Sequence, residues 1–193
     1  MDTFSFYLSF GFNHILDMDA QDHIAFLVAL CAIYHFRQWK TLLLLVTAFT
    51  IGHSITLGLA AADIIRFKKE WVELIIPVTI VFTALHNVLR RKRVEQSTAK
   101  DNYFMALGFG FIHGMGFSNT LKSMLMPGEE SKFLEQLLAF NIGVEIGQLI
   151  IVGIILVVTY VALNILKLRQ QDWNLFVSGA SAGIGVILFL GQL

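Results

Sequence analysis

Two imidazoles and three carboxylates fall within one ten-residue stretch of this chain: His14, Asp17, Asp19, Asp22 and His23. Imidazole nitrogen and carboxylate oxygen together suit divalent transition metals such as nickel, cobalt, zinc or iron. The plainer reading of such a stretch is a hydrated acidic loop at a membrane edge. Three further groups stand inside strongly apolar runs. His53 lies mid-run, with Gly52 and Ser54 as its neighbours and Thr50, Ser54 and Leu57 on its helical face. His113 is flanked by Gly110, Gly114 and Gly116, which permit close backbone approach. Asn141, Glu145 and Gln148 stand at i, i+4 and i+7 and form one polar stripe on an otherwise apolar helix. A carboxylate at that depth needs a cation, a proton or a hydrogen-bond donor. A lone buried histidine is more often a packing residue than a ligand, but here several recur in successive apolar runs. Glu73 and His86 sit at opposite ends of another run, which leaves an entrance, an exit or structural roles open for them. His35 stands beside the Arg37 to Lys40 stretch and reads as interfacial.

The elements that must position these groups are transmembrane helices. Of 193 residues, 56% are hydrophobic and only 15% charged, against about 25% charged in a soluble domain. The mean hydropathy is +0.69. Runs near residues 21–36, 40–62, 71–89, 103–121, 133–166 and 173–193 predict six spans, since a spanning helix needs about 20 mostly apolar residues. The first is short, the third contains Pro77, and the fifth is long enough to require tilt. Residues 3–16 are apolar but too short to cross alone, so a re-entrant segment is preferred, with a seventh short helix as the alternative. Period-2 alternation is not sustained, which argues against strands. The expected fold is therefore an all-α polytopic transmembrane bundle, about six spans plus the short N-terminal segment, in one domain over residues 1–193.

Zero formal net charge gives no support for nucleic-acid binding. The single cysteine, Cys31, excludes an internal disulfide and a cysteine-rich metal cluster. The first residues lack a basic n-region, so no cleavable signal peptide is expected. Placing Arg90-Arg91-Lys92-Arg93 in the cytoplasm also puts Arg37, Lys40, Lys100, Lys167 and Arg169 there, nine of the 14 basic residues. That orientation turns the His14 region outward. A lipid-binding patch is the alternative reading of the basic cluster.

These motifs together resemble the HupE/UreJ family of hydrogenase and urease accessory membrane proteins. The matching pieces are His14 with Asp22-His23-Ile24-Ala25-Phe26-Leu27, then Phe49-Thr50-Ile51-Gly52-His53-Ser54-Ile55-Thr56-Leu57, then Trp71-Val72-Glu73, then Phe111-Ile112-His113-Gly114-Met115-Gly116-Phe117-Ser118, and Phe140-Asn141-Ile142-Gly143-Val144-Glu145-Ile146-Gly147-Gln148-Leu149. The resemblance implies a secondary permease for nickel or cobalt in the bacterial inner membrane. It also implies metal-handling roles for His14, Asp22, His23, His53, His113 and Glu145. The stretch from His14 to Asp22-His23 is longer than the family's usual first motif, so which of Asp17, Asp19 and Asp22 binds stays open. Ser54, Glu73, His86, Asn141 and Gln148 are accessory or orienting candidates.

The expected ligand is a divalent metal ion, nickel or cobalt favoured over zinc or iron, and the expected surroundings are membrane lipid. Homo-oligomerisation is open. The alternative function is a membrane metalloenzyme that acts on a lipid-like substrate through the same ligands. No nucleotide-binding motif supports ATP-driven transport by this chain. The last span has no lysine for a retinal Schiff base, and the six methionines are too scattered for a copper(I) carrier.

Overall fold

The computed structural model describes residues 2–17, 21–89, 99–124 and 132–193. The Arg90–Arg93 cluster and Asp19 fall outside them. Among the described residues seven α-helices form: α1 (Thr3–Leu16), α2 (Gln21–Cys31), α3 (Trp39–Ala61), α4 (Lys69–Leu89), α5 (Ala99–Met124), α6 (Phe133–Tyr160) and α7 (Gln170–Leu190). A 3-10 turn, Phe36–Gln38, leads into α3, and a π-helical turn, Val161–Ile165, extends α6. No strand occurs among the described residues. This is the expected all-α membrane bundle. Within the described residues, α3, α4, α6 with its π-turn, and α7 are long and apolar enough to cross a bilayer. At 26 residues α5 is long enough but more polar, and it lies against the interior of the bundle. Large apolar side chains such as Ile55, Phe82, Leu85, Ile154, Val157, Phe176 and Ile187 are exposed around the outside, as lipid contact requires.

Glycine contacts fix how the helices pair. A Cβ on Gly52 would lie 2.3 Å from Leu107 O, and one on Gly110 would lie 2.1 Å from Phe49 O. The backbones of α3 and α5 therefore touch directly, and the glycines cannot carry side chains. Phe49 faces Gly110 while His53 and Thr56 face Gly114, so the two helices run parallel. The same arrangement recurs between α1 and α6. A Cβ on Gly11 would fall onto Phe140 O and one on Gly143 onto Leu8 O, with Ile15 opposite Gly147, again in parallel register. In both crossings each glycine meets the carbonyl three residues before its partner glycine. Because α3 runs antiparallel to α6, with Thr47 at Glu145 and His53 at Asn141, the two pairs point in opposite directions.

The N-terminal segment is thus a helix built into the bundle. Its first turn is capped by Asp2, whose carboxylate accepts from Ser5 N at 2.7 Å. Tyr7 donates to Met124 O at the end of α5. The opposite end of the bundle holds α2: Ala29 O accepts from Asn87 near the end of α4, and Ile33 O from Gln170 at the start of α7. At 1.5 Å per residue α1 is about 21 Å long and α2 about 17 Å. Neither crosses a hydrocarbon core of about 30 Å, but the two occupy successive depths and together make one interrupted span. The run read as a span over residues 21–36 is helical only to Cys31, because α1 supplies the other half.

Candidate metal centre

The interruption between α1 and α2 puts the C-terminal turn of α1 and the N-terminal turn of α2 at the depth of the α3–α5 crossing. His14 and His23 thereby meet His53 and His113. Ring centroids lie 5.0 Å apart for His14–His23 and for His23–His113, 6.0 Å for His23–His53 and 6.4 Å for His14–His53. Ligand atoms of His14, His23 and His53 all lie within 4.8 Å of one another, and so do those of Asp22, His23 and His113. His23 belongs to both trios. The rings of Phe26, Phe49, Phe117 and Phe140 surround them, with the Phe117 centroid 3.7 Å from that of His14. His53 and His113 are completely buried and His23 nearly so.

Polar partners stand behind three of the four imidazoles, those of His113, His53 and His23. Thr79 Oγ1 lies 2.7 Å from Ile76 O and 3.1 Å from His113 Nε2, with one proton to give. When that proton goes to Ile76 O, the hydroxyl accepts from His113 Nε2, and Nδ1 is left with a bare lone pair. Asn141 donates Nδ2 to Leu137 O and turns Oδ1 toward His53 Nδ1 at 3.5 Å. Asp22 Oδ1 accepts from His23 Nδ1 at 3.0 Å and from His23 N at 2.9 Å. Nε2 of His14, His23 and His53 and Nδ1 of His113 are buried with no hydrogen-bond partner among the described residues. Buried ring nitrogens without partners are costly. A divalent cation is a chemistry that satisfies several of them at once. Partners that set a tautomer from behind are the usual accompaniment of histidine ligands.

A cavity of about 500 Å³ leads to this cluster. His14, Asp22, His23 and His113 line its inner part. Asp17 borders it at the inner end of α1, while Glu73 near the start of α4, Thr120 and Gln192 line it toward the end of the bundle where α1 begins. Glu73 also pairs with Lys69 at 3.2 Å. Of the residues singled out in the sequence, then, His14, Asp22, His23, His53 and His113 come together, Asn141 backs His53, and Asp17 and Glu73 flank the approach. Ser54 donates to Thr50 O within α3. His86 stands at the far end of α4, stacked on Phe82. Glu145 is not among the converging groups; it accepts from Thr47 at 2.7 Å, and Gln148 accepts from Thr50 at 2.8 Å. Thr79 was not among the site candidates read from the sequence. Its signal is faint there, since threonines on an apolar helix ordinarily bond back to their own backbone.

No characterised, curated protein matches this chain, and no solved structure does. One family model does, described as HupE / UreJ protein, over residues 1–191. Nickel or cobalt handling at a membrane, which that match suggests, agrees with a buried His/Asp centre inside a helical bundle. With all but its last two residues matched, the chain belongs to the HupE/UreJ family.

Proposed function

We propose that this protein is a secondary permease for a divalent transition-metal cation, nickel or cobalt before zinc or iron. The observation that carries the reading is the pair of overlapping ligand trios, His14 with His23 and His53 and Asp22 with His23 and His113, all but His53 lining one acid-lined cavity. Asp17 and Glu73 attract the hydrated cation, and the imidazoles replace part of its water shell. His14, Asp22, His23, His53 and His113 form the site. The metal is the cargo, held by ligands on four helices. The whole of residues 1–193 acts as one transmembrane domain in the bacterial inner membrane, surrounded by lipid, with the Arg90–Arg93 loop cytoplasmic and the cavity facing outward. Homo-oligomerisation stays open, and nothing in the site requires nucleic acid.

The test is uptake of radiolabelled nickel and cobalt into proteoliposomes. Wild-type protein is expected to accumulate at least one of the metals, and His53→Ala to abolish uptake while the protein remains folded by circular dichroism. Absence of wild-type flux for all divalent metals tried overturns the proposal. Tight retention of the metal through purification, with turnover of a lipid substrate, would favour the metalloenzyme reading.

A further inference from the structure

The polar seam between α3 and α6 begins at the histidine cluster and runs away from the cavity. Its first contact is His53 with Asn141. Next come Thr50 with Gln148, and Thr47 with Glu145. Thr47 precedes His53 by six residues, about 9 Å along α3, and Glu145 follows Asn141 by four, about 6 Å along α6. Both displacements point the same way. The start of α3 and the end of α6 lie at one end of the bundle, where the rings of Phe36 and Tyr160 meet at 5.8 Å. The cavity opens at the other end.

Two features of this seam are unexplained by packing. Glu145 is a half-buried carboxylate in the most apolar helix of the chain, with one hydroxyl donor, Thr47, shown against it. Gln148 is completely buried, and its Nε2 has no partner among the described residues. Thr50 Oγ1 lies 3.1 Å from Val46 O and 2.8 Å from Gln148 Oε1 but has one proton to give. When that proton goes to Val46 O, a half-turn of the Gln148 amide lets Nε2 donate to Thr50. The amide oxygen then takes the unpartnered position. The seam so arranged offers a carboxylate, an amide oxygen and a hydroxyl, all hard oxygen donors.

Resting on the permease reading, we infer that Glu145, Gln148 and Thr47 form a second, oxygen-donor cation station, distinct from the histidine centre and next on the path toward the opposite face. Nitrogen donors hold nickel and cobalt more firmly than carboxylate and amide oxygen do. A first site of imidazoles therefore captures, and a second site of oxygens receives and releases. On this reading Glu145 is not a ligand of the histidine centre.

The test separates binding from transport, using cobalt(II) as the probe. Cobalt absorption bands report equilibrium binding at the histidines in detergent, and radiolabelled cobalt uptake reports flux in proteoliposomes. Glu145→Gln is expected to leave the bands and the dissociation constant unchanged within about twofold, while uptake falls at least about tenfold at saturating cobalt. Thr47→Ser, which keeps the hydroxyl, is expected to transport like wild type and Thr47→Val to be slowed. Normal flux in Glu145→Gln overturns the second station. Loss of the cobalt bands in a Glu145→Gln protein that melts like wild type overturns it too, because Glu145 would then belong to the first site. If wild-type protein neither binds nor moves cobalt or nickel, it is the permease reading that fails. Should Glu145→Gln not fold, the Thr47 pair decides: equal flux in Thr47→Val and Thr47→Ser refutes the station.

Discussion

Replacing Thr79 by valine tests the logic of the metal centre at a residue that touches no ion. The two side chains have nearly the same shape, so packing is conserved while the hydroxyl is lost. Thr79 and His113 are both buried, and with its own proton on Ile76 O, Thr79 Oγ1 accepts the His113 proton at Nε2, 3.1 Å away. Without it two states compete. With the proton left on Nε2, a buried donor has no partner, which costs about 1–3 kcal/mol. With the proton moved to Nδ1, the lone pair aimed at the cation is gone. Either way the deficit falls on the metal-bound form. A deficit of about 1–3 kcal/mol corresponds to roughly 5- to 150-fold in affinity, which brackets the ~10–100-fold losses usual for groups that orient metal ligands. Titration of the purified protein with cobalt(II), followed by its visible absorption, reads this directly. Thr79→Val is expected to bind about 10–100-fold more weakly, and Thr79→Ser to bind like wild type. The reasoning is refuted if Thr79→Val binds as wild type does while His113→Ala does not, because the hydroxyl would then have no part in presenting His113.

The remaining predictions concern the scaffold. Gly52→Ala or Gly110→Ala drives a Cβ onto a backbone oxygen of the facing helix, so the α3–α5 crossing must open. Each change is expected to cost at least about 1–3 kcal/mol of stability and to separate His53 from its neighbours. Gly153→Ala, where no neighbour lies within 4 Å, should melt like wild type in the same thermal scan. Equal effects at the three positions would show that the crossing is not what holds the site. Outside the spans, Lys122 donates to Asp63 and holds its carboxyl below the usual carboxylate range. A carboxyl so depressed adds stability above its unfolded pKa and loses it as pH falls through the folded value. Lys122→Met should therefore lower stability slightly at neutral pH and leave it unchanged in strong acid, checked by melting curves across pH. The effect should be small because the pair is exposed.

Much of the centre was legible in the sequence because the bilayer makes intramembrane polarity conspicuous. His53 and His113 stand in apolar runs where an imidazole is costly, and His14, Asp22 and His23 share one short stretch. Their convergence depends on the break between α1 and α2, which brings two half-length helices to the right depth. Run length hides this: residues 21–36 look like a short span, and residues 3–16 like a segment that turns back. The surroundings of Glu145 were hidden for a related reason. Its position in an apolar helix marks it as important, but helical phase does not say which neighbour it meets, and α3 meets it at Thr47 rather than at His53. Thr79 was missed because its value lies wholly in a partner 34 residues away.

The sequence by itself determined the class of the protein and the chemistry of its ligands. Apolar run length and rarity of charge demand membrane helices, since a bilayer leaves backbone polar groups no other partner than their own helix. Imidazole and carboxylate are the donors available, and they select transition metals. Only the tertiary structure decided which of these side chains come together and which polar groups stand behind the rings. Those outcomes turn on distances of a few ångströms between helices remote in the chain. They were set by glycines that let α3 meet α5 and α1 meet α6, and by Thr79 and Asn141 behind the rings.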